Sequence, residues 1–381
     1  MGVGAPPATP PRVEPQGFQR DIAKALDEAY DRVLDEERKG ITPLAQLDVD
    51  TAQVIIFSDQ HKGVGNRADD FRDCERAYNA ALAFYSAAGH MLIELGDVEE
   101  LWEELPGPIT KRYAHSLKLS ARFQTEGRYF RFWGNHDDMW RDAGPVKTHL
   151  HPIYGDRLVV REAMRFRVVK SGAELGHLFL VHGHQGTAES DRFGEWSRIP
   201  VRFVWRPLQR AFRFSVNTPA TDWELRQRHN IAMHAWADGA AARARAKIVL
   251  ITGHTHRPVF LSKSDAERLE EELRAAEDAL ARSPRDPALR RTVAELSADL
   301  EWTRGQDRGE KGPEGDTPRE PKRPCYFNTG CCCFADGDIT GLEIAGGEIR
   351  LVRWPDDEEG PRPEILDKRR LVEVFDALKE P

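Results

Sequence analysis

Short apolar runs alternate with longer amphipathic stretches along the first part of the chain. The runs QVIIFS, HMLIEL and YFRFW have the length and composition of buried strands, and the stretches between them have helical spacing. Residues 18–39 precede these runs and carry one apolar helical stripe: Ile22, Leu26, Tyr30 and Leu34. The resulting β-α-β-α-β order predicts a parallel sheet with crossover helices.

The pattern changes after residue 157, where strand-like runs follow one another closely. RLVVRE, MRFRVVKS and HLFLVHG predict strands of a second, mixed sheet, and AKIVLITG predicts a further strand. Near the end, CYFNTG, ITGLEIAG and EIRLVRW predict a strand meander. The fold class predicted from this pattern is therefore α/β with two sheets.

Breaks in the pattern predict the domain organisation. Ser264 and Glu267 have capping-box spacing at the start of a helical hairpin. The predicted segments are a disordered tail at 1–16, a main domain at 17–261 with a helical cap-like insertion at 189–246, the helical hairpin at 262–304, a flexible linker at 305–324, and C-terminal strands of the same domain with a final helix at 325–381.

Charge and cysteine content narrow the class of protein. The 381 residues carry a formal charge of −8, which disfavours a general nucleic-acid binder. Five cysteines, three of them adjacent at 331–333, fit a reduced protein better than a disulfide scaffold. We interpret the run as small buried apolar side chains, with a metal site as the alternative. No signal-peptide pattern or membrane-length apolar run is found, which predicts a cytoplasmic protein.

Five of the predicted strands end in side chains that bind metals or transfer protons. These side chains are Asp59 and His61, Asp97 and Glu100, Asn135 to Asp137, His182 and His184, and His254 and His256. Six of the 13 histidines are among them, so their joint occurrence predicts a metal site. Imidazole mixed with carboxylate suits Mn, Fe, Zn, Co or Ni, and the number of ligands implies two ions with a bridging carboxylate.

Five motifs that include these residues resemble the calcineurin-like metallophosphoesterases. They are DQH at 59–61, GDVEE at 96–100, GNHD at 134–137, HGH at 182–184 and GHTH at 253–256. The resemblance implies a four-layer α/β/β/α sandwich with helical insertions. It also implies a phosphoric ester hydrolase that uses two divalent metal ions, with Mn favoured.

The resemblance also implies a role for each residue of the motifs. The first metal would be held by Asp59, His61 and His256, the second by Asn135, His182 and His254, and Asp97 would bridge them. A hydroxide between the metals would attack phosphorus, while His136 acts as general acid and Asp137 orients it. Glu100 would lie behind the ligands. Of the two histidines in HGH, His182 is the expected ligand, and His184 would contact substrate or solvent.

Further features bear on the substrate, which is expected to be a phosphomonoester, phosphodiester or pyrophosphate. Leu101 and Trp102 follow Glu100 where protein phosphatases of the superfamily have Arg-Gly. The chain resembles bacterial phosphoesterases more, including UDP-2,3-diacylglucosamine hydrolases, although those have arginine in place of His136. Segment 192–213 holds six arginines and five aromatics and predicts contact with an anionic membrane surface or a bulky substrate, a solvated cap being the alternative. The competing functions are a nuclease of the same superfamily and a non-catalytic scaffold that uses the hairpin.

Overall fold

Two seven-stranded sheets form the centre of the protein in a computed structural model that describes residues 15–42, 44–187, 223–244, 246–283, 286–305, 323–357 and 360–378. The strands are β1 (Ala45–Asp48), β2 (Gln53–Phe57), β3 (Met91–Leu95), β4 (Tyr129–Phe132), β5 (Val160–Arg161), β6 (Ala163–Lys170), β7 (Ala173–Val181), β8 (Ile248–Thr252), β9 (Pro258–Phe260), β10 (Lys263–Ser264), β11 (Tyr326–Thr329), β12 (Ile339–Ala345), β13 (Glu348–Trp354) and β14 (Glu364–Arg370).

Helices surround these sheets. They are α1 (Pro15–Arg38), α2 (Phe71–Ala87), α3 (Pro106–Arg112), α4 (Ala114–Thr125), α5 (Ala143–Pro145), α6 (His151–Tyr154), α7 (Trp223–Ala244), α8 (Asp265–Arg282), α9 (Pro287–Gly305) and α10 (Leu371–Asp376). A 3₁₀ turn at Asp138–Arg141 and a π turn at Val146–Leu150 flank α5. The capping box predicted at the start of α8 is confirmed: Ser264 Oγ accepts the Glu267 N–H at 3.2 Å, and Glu267 Oε2 accepts the Ser264 N–H at 2.9 Å.

The strand orders are β1-β6-β7-β8-β11-β9-β10 in the first sheet and β14-β13-β12-β2-β3-β4-β5 in the second. Strands β2, β3 and β4 are parallel, as predicted. RLVVRE was predicted in the mixed sheet, but β5 instead pairs with β4 and extends the parallel sheet. The three-strand meander is also wrong, because β11 pairs with β8 and β9 while β12 pairs with β2 and β13.

The second sheet is buried on both faces. Val54 and Ile56 of β2 belong to a core that also contains residues of the first sheet and of α1 and α7. Ile55 and Phe57 belong to a separate core with α2 and α4. Burial on both faces explains why the run VIIF is continuously apolar and does not alternate.

Helices α1 and α7 cover the first sheet. The Phe179 ring on β7 lies 5.1 Å from the Tyr30 ring of α1 and 5.5 Å from the Trp236 ring of α7. Helix α1 begins at Pro15, so residues 15 and 16, predicted to belong to the disordered tail, are helical instead. Proline is tolerated in the first turn of a helix, where its missing N–H would have no helical partner.

Several predictions concern residues that the structure does not describe. Residues 1–14 of the predicted tail, residues 188–222 with the arginine-rich segment 192–213, and residues 306–322 of the predicted linker lie outside the described residues. Among the helices of the described ranges, none combines the length and apolar character needed to cross a membrane.

Candidate metal centre

The site lies where strands of both sheets end. Strands β2, β3 and β4 of the second sheet and strands β7 and β8 of the first sheet contribute their carboxyl-terminal loops. The loops after β2 and β3 run side by side, with the Asp59 N–H donated to Gly96 O at 3.1 Å. The loops after β7 and β8 are joined in the same way, by the Gly253 N–H to His182 O at 2.8 Å. Between the sheets, the His254 N–H is donated to Asp59 Oδ2 at 3.0 Å.

The backbone at these loop positions is strained. Eight non-glycine residues in the described ranges have positive φ, and five of them are predicted ligands: Asp59, His61, Asp97, His254 and His256. Left-handed backbone is unfavourable for residues with a Cβ and persists only where the surroundings enforce it. The fold therefore maintains strained backbone at the positions that aim these side chains toward a common point.

Asp59, His61 and His256 form the first group. The Nε2 atoms of His61 and His256 lie 3.0 Å apart. Asp59 Oδ1 lies 3.3 Å from His256 Nε2 and 3.8 Å from His61 Nε2. Three donor atoms at such distances can share one cation. Ser58 Oγ donates to the other oxygen, Asp59 Oδ2, and this bond orients the carboxylate.

Asp97, His182 and His254 form the second group, and their ligand atoms lie within 4.8 Å of one another. His182 Nδ1–H donates to Leu95 O at 2.8 Å, which leaves the Nε2 lone pair facing the site. That Nε2 atom is buried and has no hydrogen bond within the described ranges, although Asp97 Oδ2 lies 3.1 Å away. In this position Nε2 can bind either a proton or, in its place, a cation.

Asn135 is buried beside this second group, at the end of β4. Gly134 precedes it at a position where a Cβ would collide with Asp97 Oδ1 and with the His182 ring. The glycine thus lets the β4 loop approach the other two loops closely.

Asp97 lies between the two groups. Its Oδ2 atom is 3.1 Å from His182 Nε2 and 3.7 Å from His61 Nε2. Its Oδ1 atom accepts the His136 N–H at 2.8 Å. The carboxylate is thus held in place by the backbone while one oxygen faces both groups, as a bridging ligand requires.

The buried carboxylates and imidazoles of the site strongly shift one another's pKa. Burial by itself would raise the pKa of Asp97, but His182 and His136 hold it well below its ordinary value. Burial by itself would lower the pKa of His182, but the Asp97 and Asp59 carboxylates raise it to about 9. A positive charge on His182 therefore compensates the buried carboxylates, and a metal ion would replace that charge.

Glu100 supports two of the histidines. Its Oε2 atom lies 2.7 Å from His136 Nδ1 and 3.2 Å from His61 Nδ1. Burial opposes ionisation of Glu100, yet the charge of His136 lowers the pKa of the carboxyl to about 2. The Trp102 ring stacks on the His136 ring, with centroids 3.8 Å apart. One carboxylate and one indole thereby fix the His136 ring.

Asp137, predicted to orient His136, has both carboxylate oxygens bonded to backbone N–H groups. Its Oδ1 accepts the Gly134 N–H at 2.7 Å, and its Oδ2 accepts the Val98 N–H at 2.9 Å. Burial and the nearby Asp97 and Glu99 carboxylates raise its pKa to about 7. Asp137 ties the β3 and β4 loops together, and Glu100 takes the place at His136 because its longer side chain reaches across from the β3 loop.

His229 is near the site and was not predicted from the sequence. It lies on α7, its Nε2–H donates to Gly183 O at 2.8 Å, and its ring lies 5.4 Å from that of His254. Burial lowers its pKa to about 4. No motif marks this histidine, since a lone histidine in a helix carries no spacing signal. His184 is also buried, with its ring 5.1 Å from Trp133, and burial lowers its pKa to about 3.

The donor set fits divalent metal ions. It offers imidazole nitrogens and carboxylate oxygens, and the paired Nε2 atoms of His61 and His256 need a proton or a cation between them. No known protein family and no curated protein matches this chain. The function is therefore argued from the site alone.

Proposed function

We propose that the protein is a dinuclear metal-dependent phosphoesterase that hydrolyses a phosphomonoester, phosphodiester or pyrophosphate. The observation that carries this proposal is the position of Asp97. Its Oδ2 atom lies 3.1 Å from His182 Nε2 of the second group and 3.7 Å from His61 Nε2 of the first. A carboxylate shared between two imidazole-containing groups is the arrangement by which two cations are held close together.

The residues of the two groups would hold the metals. Asp59, His61 and His256 would bind one ion, Asn135, His182 and His254 the other, and Asp97 both. When bound, the ions would activate water and stabilise negative charge on the phosphoryl oxygens. Asp59 and Asp97 neutralise only part of the charge of two divalent ions, so the site would attract a phosphate. Mixed imidazole and carboxylate donors favour Mn, Fe, Zn, Co or Ni.

In this proposal His136 would protonate the leaving group. Its side chain is 23% exposed, whereas the Asp59 and Asp97 side chains are at most 1% exposed. It is therefore closer to solvent than either carboxylate, where a substrate would enter. Burial by itself would lower the pKa of His136, but the Glu100 and Asp97 carboxylates raise it above its ordinary value, which favours the protonated ring. The stacked Trp102 ring restricts the orientation of the His136 ring, whose Nδ1 atom lies 2.7 Å from Glu100 Oε2.

We further propose that the sheets and helices form a four-layer α/β/β/α sandwich. Support comes from the two cores: one joins both sheets and includes α1 and α7, and the other joins the outer face of the second sheet to α2 and α4. The loops of β2, β3, β4, β7 and β8 would then meet along one edge of the paired sheets.

Metal-dependent hydrolysis of p-nitrophenyl phosphate and bis-p-nitrophenyl phosphate by the purified chain tests the proposal. With Mn²⁺ we expect turnover that Asp97→Asn abolishes and that His136→Asn lowers by about 10²–10⁴-fold, the usual contribution of a general acid. Matched controls are Asp73→Asn on α2 and His115→Asn on α4, both exposed and remote from the site. The proposal fails if the chain shows no metal-dependent turnover or if Asp97→Asn and His136→Asn behave like their controls.

The same assay separates the alternatives. A nuclease would cleave DNA or RNA with Mn²⁺ and depend on Asp97 and His136 in the same way, so nucleic-acid substrates are included. A scaffold acting through α8 and α9 would show no turnover and would tolerate Asp97→Asn. Only a phosphoesterase or a nuclease should lose metal, measured by elemental analysis, together with turnover.

A further inference from the structure

The cysteine run at 331–333 divides between two sides of its loop. Cys333 Sγ lies 3.7 Å from His256 Nδ1, and the Sγ atom of Cys331 completes a group whose members lie within 4.8 Å of one another. Cys332 is in the core beside α2, where its Sγ lies 3.9 Å from Thr340 O. The cysteines are free thiols, so Cys331 and Cys333 are available as ligands while Cys332 is a packing residue.

We propose that Cys331, Cys333 and His256 Nδ1 form a separate site for a soft divalent cation such as Zn²⁺ or Cd²⁺. Tetrahedral zinc has bonds of about 2.3 Å to sulfur and 2.0–2.1 Å to nitrogen, so bound sulfur and nitrogen atoms lie about 3.6 Å apart. The distance of 3.7 Å between Cys333 Sγ and His256 Nδ1 is close to this value.

His256 connects this site to the candidate metal centre. Its Nε2 atom faces Asp59 Oδ1 at 3.3 Å, while its Nδ1 atom faces the thiols. The outer nitrogen of a metal-binding histidine ordinarily donates to a carboxylate or a carbonyl. Here sulfur occupies that position, and sulfur favours soft cations over Mn²⁺ or Mg²⁺. A cation bound to the thiols would therefore act on the same imidazole from its other side.

The loop is held ready for such binding. The Thr340 N–H donates to Cys331 O at 3.0 Å, and the Cys332 N–H donates to Asp59 O at 3.1 Å. Cys333 is partly exposed and the His256 side chain is 23% exposed, so a cation can reach the group. Three protein ligands leave one tetrahedral position for water or another ligand. Binding releases the two thiol protons to solvent, because thiolate is the ligand form of cysteine, and when a cation also occupies Nε2 the His256 ring releases its remaining N–H proton as well.

Cobalt titration of the reduced full-length chain tests this site. We expect Co²⁺ to produce a thiolate-to-cobalt charge-transfer band in the near ultraviolet, and Zn²⁺ or Cd²⁺ to remove it by displacement. The band should disappear in Cys331→Ser/Cys333→Ser, with the loss of about one bound cation per chain. Cys333→Ser alone, at the partly exposed position, should weaken it, and Cys332→Ser is the matched control that should retain it.

A wild-type chain without the band, or a band that persists in the double variant, would overturn the proposal. Loss of the band in Cys332→Ser with an unchanged circular dichroism spectrum would do so as well. In Asp97→Asn the band should persist, because Asp97 is not a ligand of this site. Failure of the phosphoesterase proposal and failure of this one are thus distinguishable.

Discussion

Glu100→Gln tests how the candidate centre is supported. The substitution keeps the size of the side chain but removes the negative charge that holds two imidazoles. Glu100 Oε2 lies 2.7 Å from His136 Nδ1 and 3.2 Å from His61 Nδ1. The amide oxygen of glutamine can still accept from both rings, but neither bond is then charge-assisted, so both are weaker.

The magnitude follows from the shorter of these bonds. A hydrogen bond to a charged group contributes about 1.5–3 kcal/mol. The Glu100 side chain is only 17% exposed, so solvent screens this bond little. Since about 1.4 kcal/mol corresponds to a factor of ten, kcat should fall about 10–100-fold. The weaker support of His61 should lower metal affinity in the same variant.

Two measurements separate these effects. Turnover at saturating Mn²⁺ reports the effect through His136, and Mn²⁺ titration of the metal-free chain reports the effect through His61. Glu103→Gln, three residues further along the same loop and exposed, is the matched control. If Glu100→Gln kept both kcat and Mn²⁺ affinity within about twofold of the wild type, the support of the two rings by Glu100 would be refuted.

Three further predictions concern other residues. Asp137→Asn should lower the free energy of unfolding by about 1–3 kcal/mol in a urea titration, because an NH₂ group would face the N–H of Gly134 or Val98; an unchanged midpoint would contradict this. His254→Ala should deplete the ion at the second group more than the first, and His256→Ala the reverse, as elemental analysis and Mn²⁺ titration of each variant can show; equal depletion in both would contradict the division. Burial, with Arg165 and Arg167 nearby, lowers the pKa of His177 from 6.5 to about 4. Between these two pH values the unfolded chain therefore binds more protons than the folded chain, and the free energy of unfolding falls as the pH falls. His177→Gln should remove up to about 3 kcal/mol of this decrease. If the free energy of unfolding depended on pH identically in the wild type and the variant, this prediction would be refuted.

Much of the fold and site follows from local pattern. Continuous apolar runs predicted β2, β3 and β4, and the helical spacing between them predicted their parallel pairing. Ser264 and Glu267 predicted the start of α8, because a capping box is satisfied by neighbouring residues alone. Residues at strand ends predicted the ligand groups, since the carboxyl ends of strands present their loops on one edge of a sheet.

Sheet membership was decided by the tertiary structure. β5 joins the other sheet from the one predicted, and β11 pairs with β8 and β9 where a meander with β12 was predicted. Neither short strand has a local feature that selects its partner. Strand pairing depends on long-range contacts, which apolar periodicity does not specify.

The sequence by itself determined which side chains gather at the centre, because each follows its own strand directly. Only the tertiary structure decided which side chains support them. Glu100, and not Asp137, is hydrogen-bonded to the His136 ring, and His229 of α7 and Cys333 lie beside candidate ligands. Such supports come from residues distant in the chain, and their positions depend on side-chain reach and helix packing. These are properties of the folded chain that spacing along the sequence does not encode.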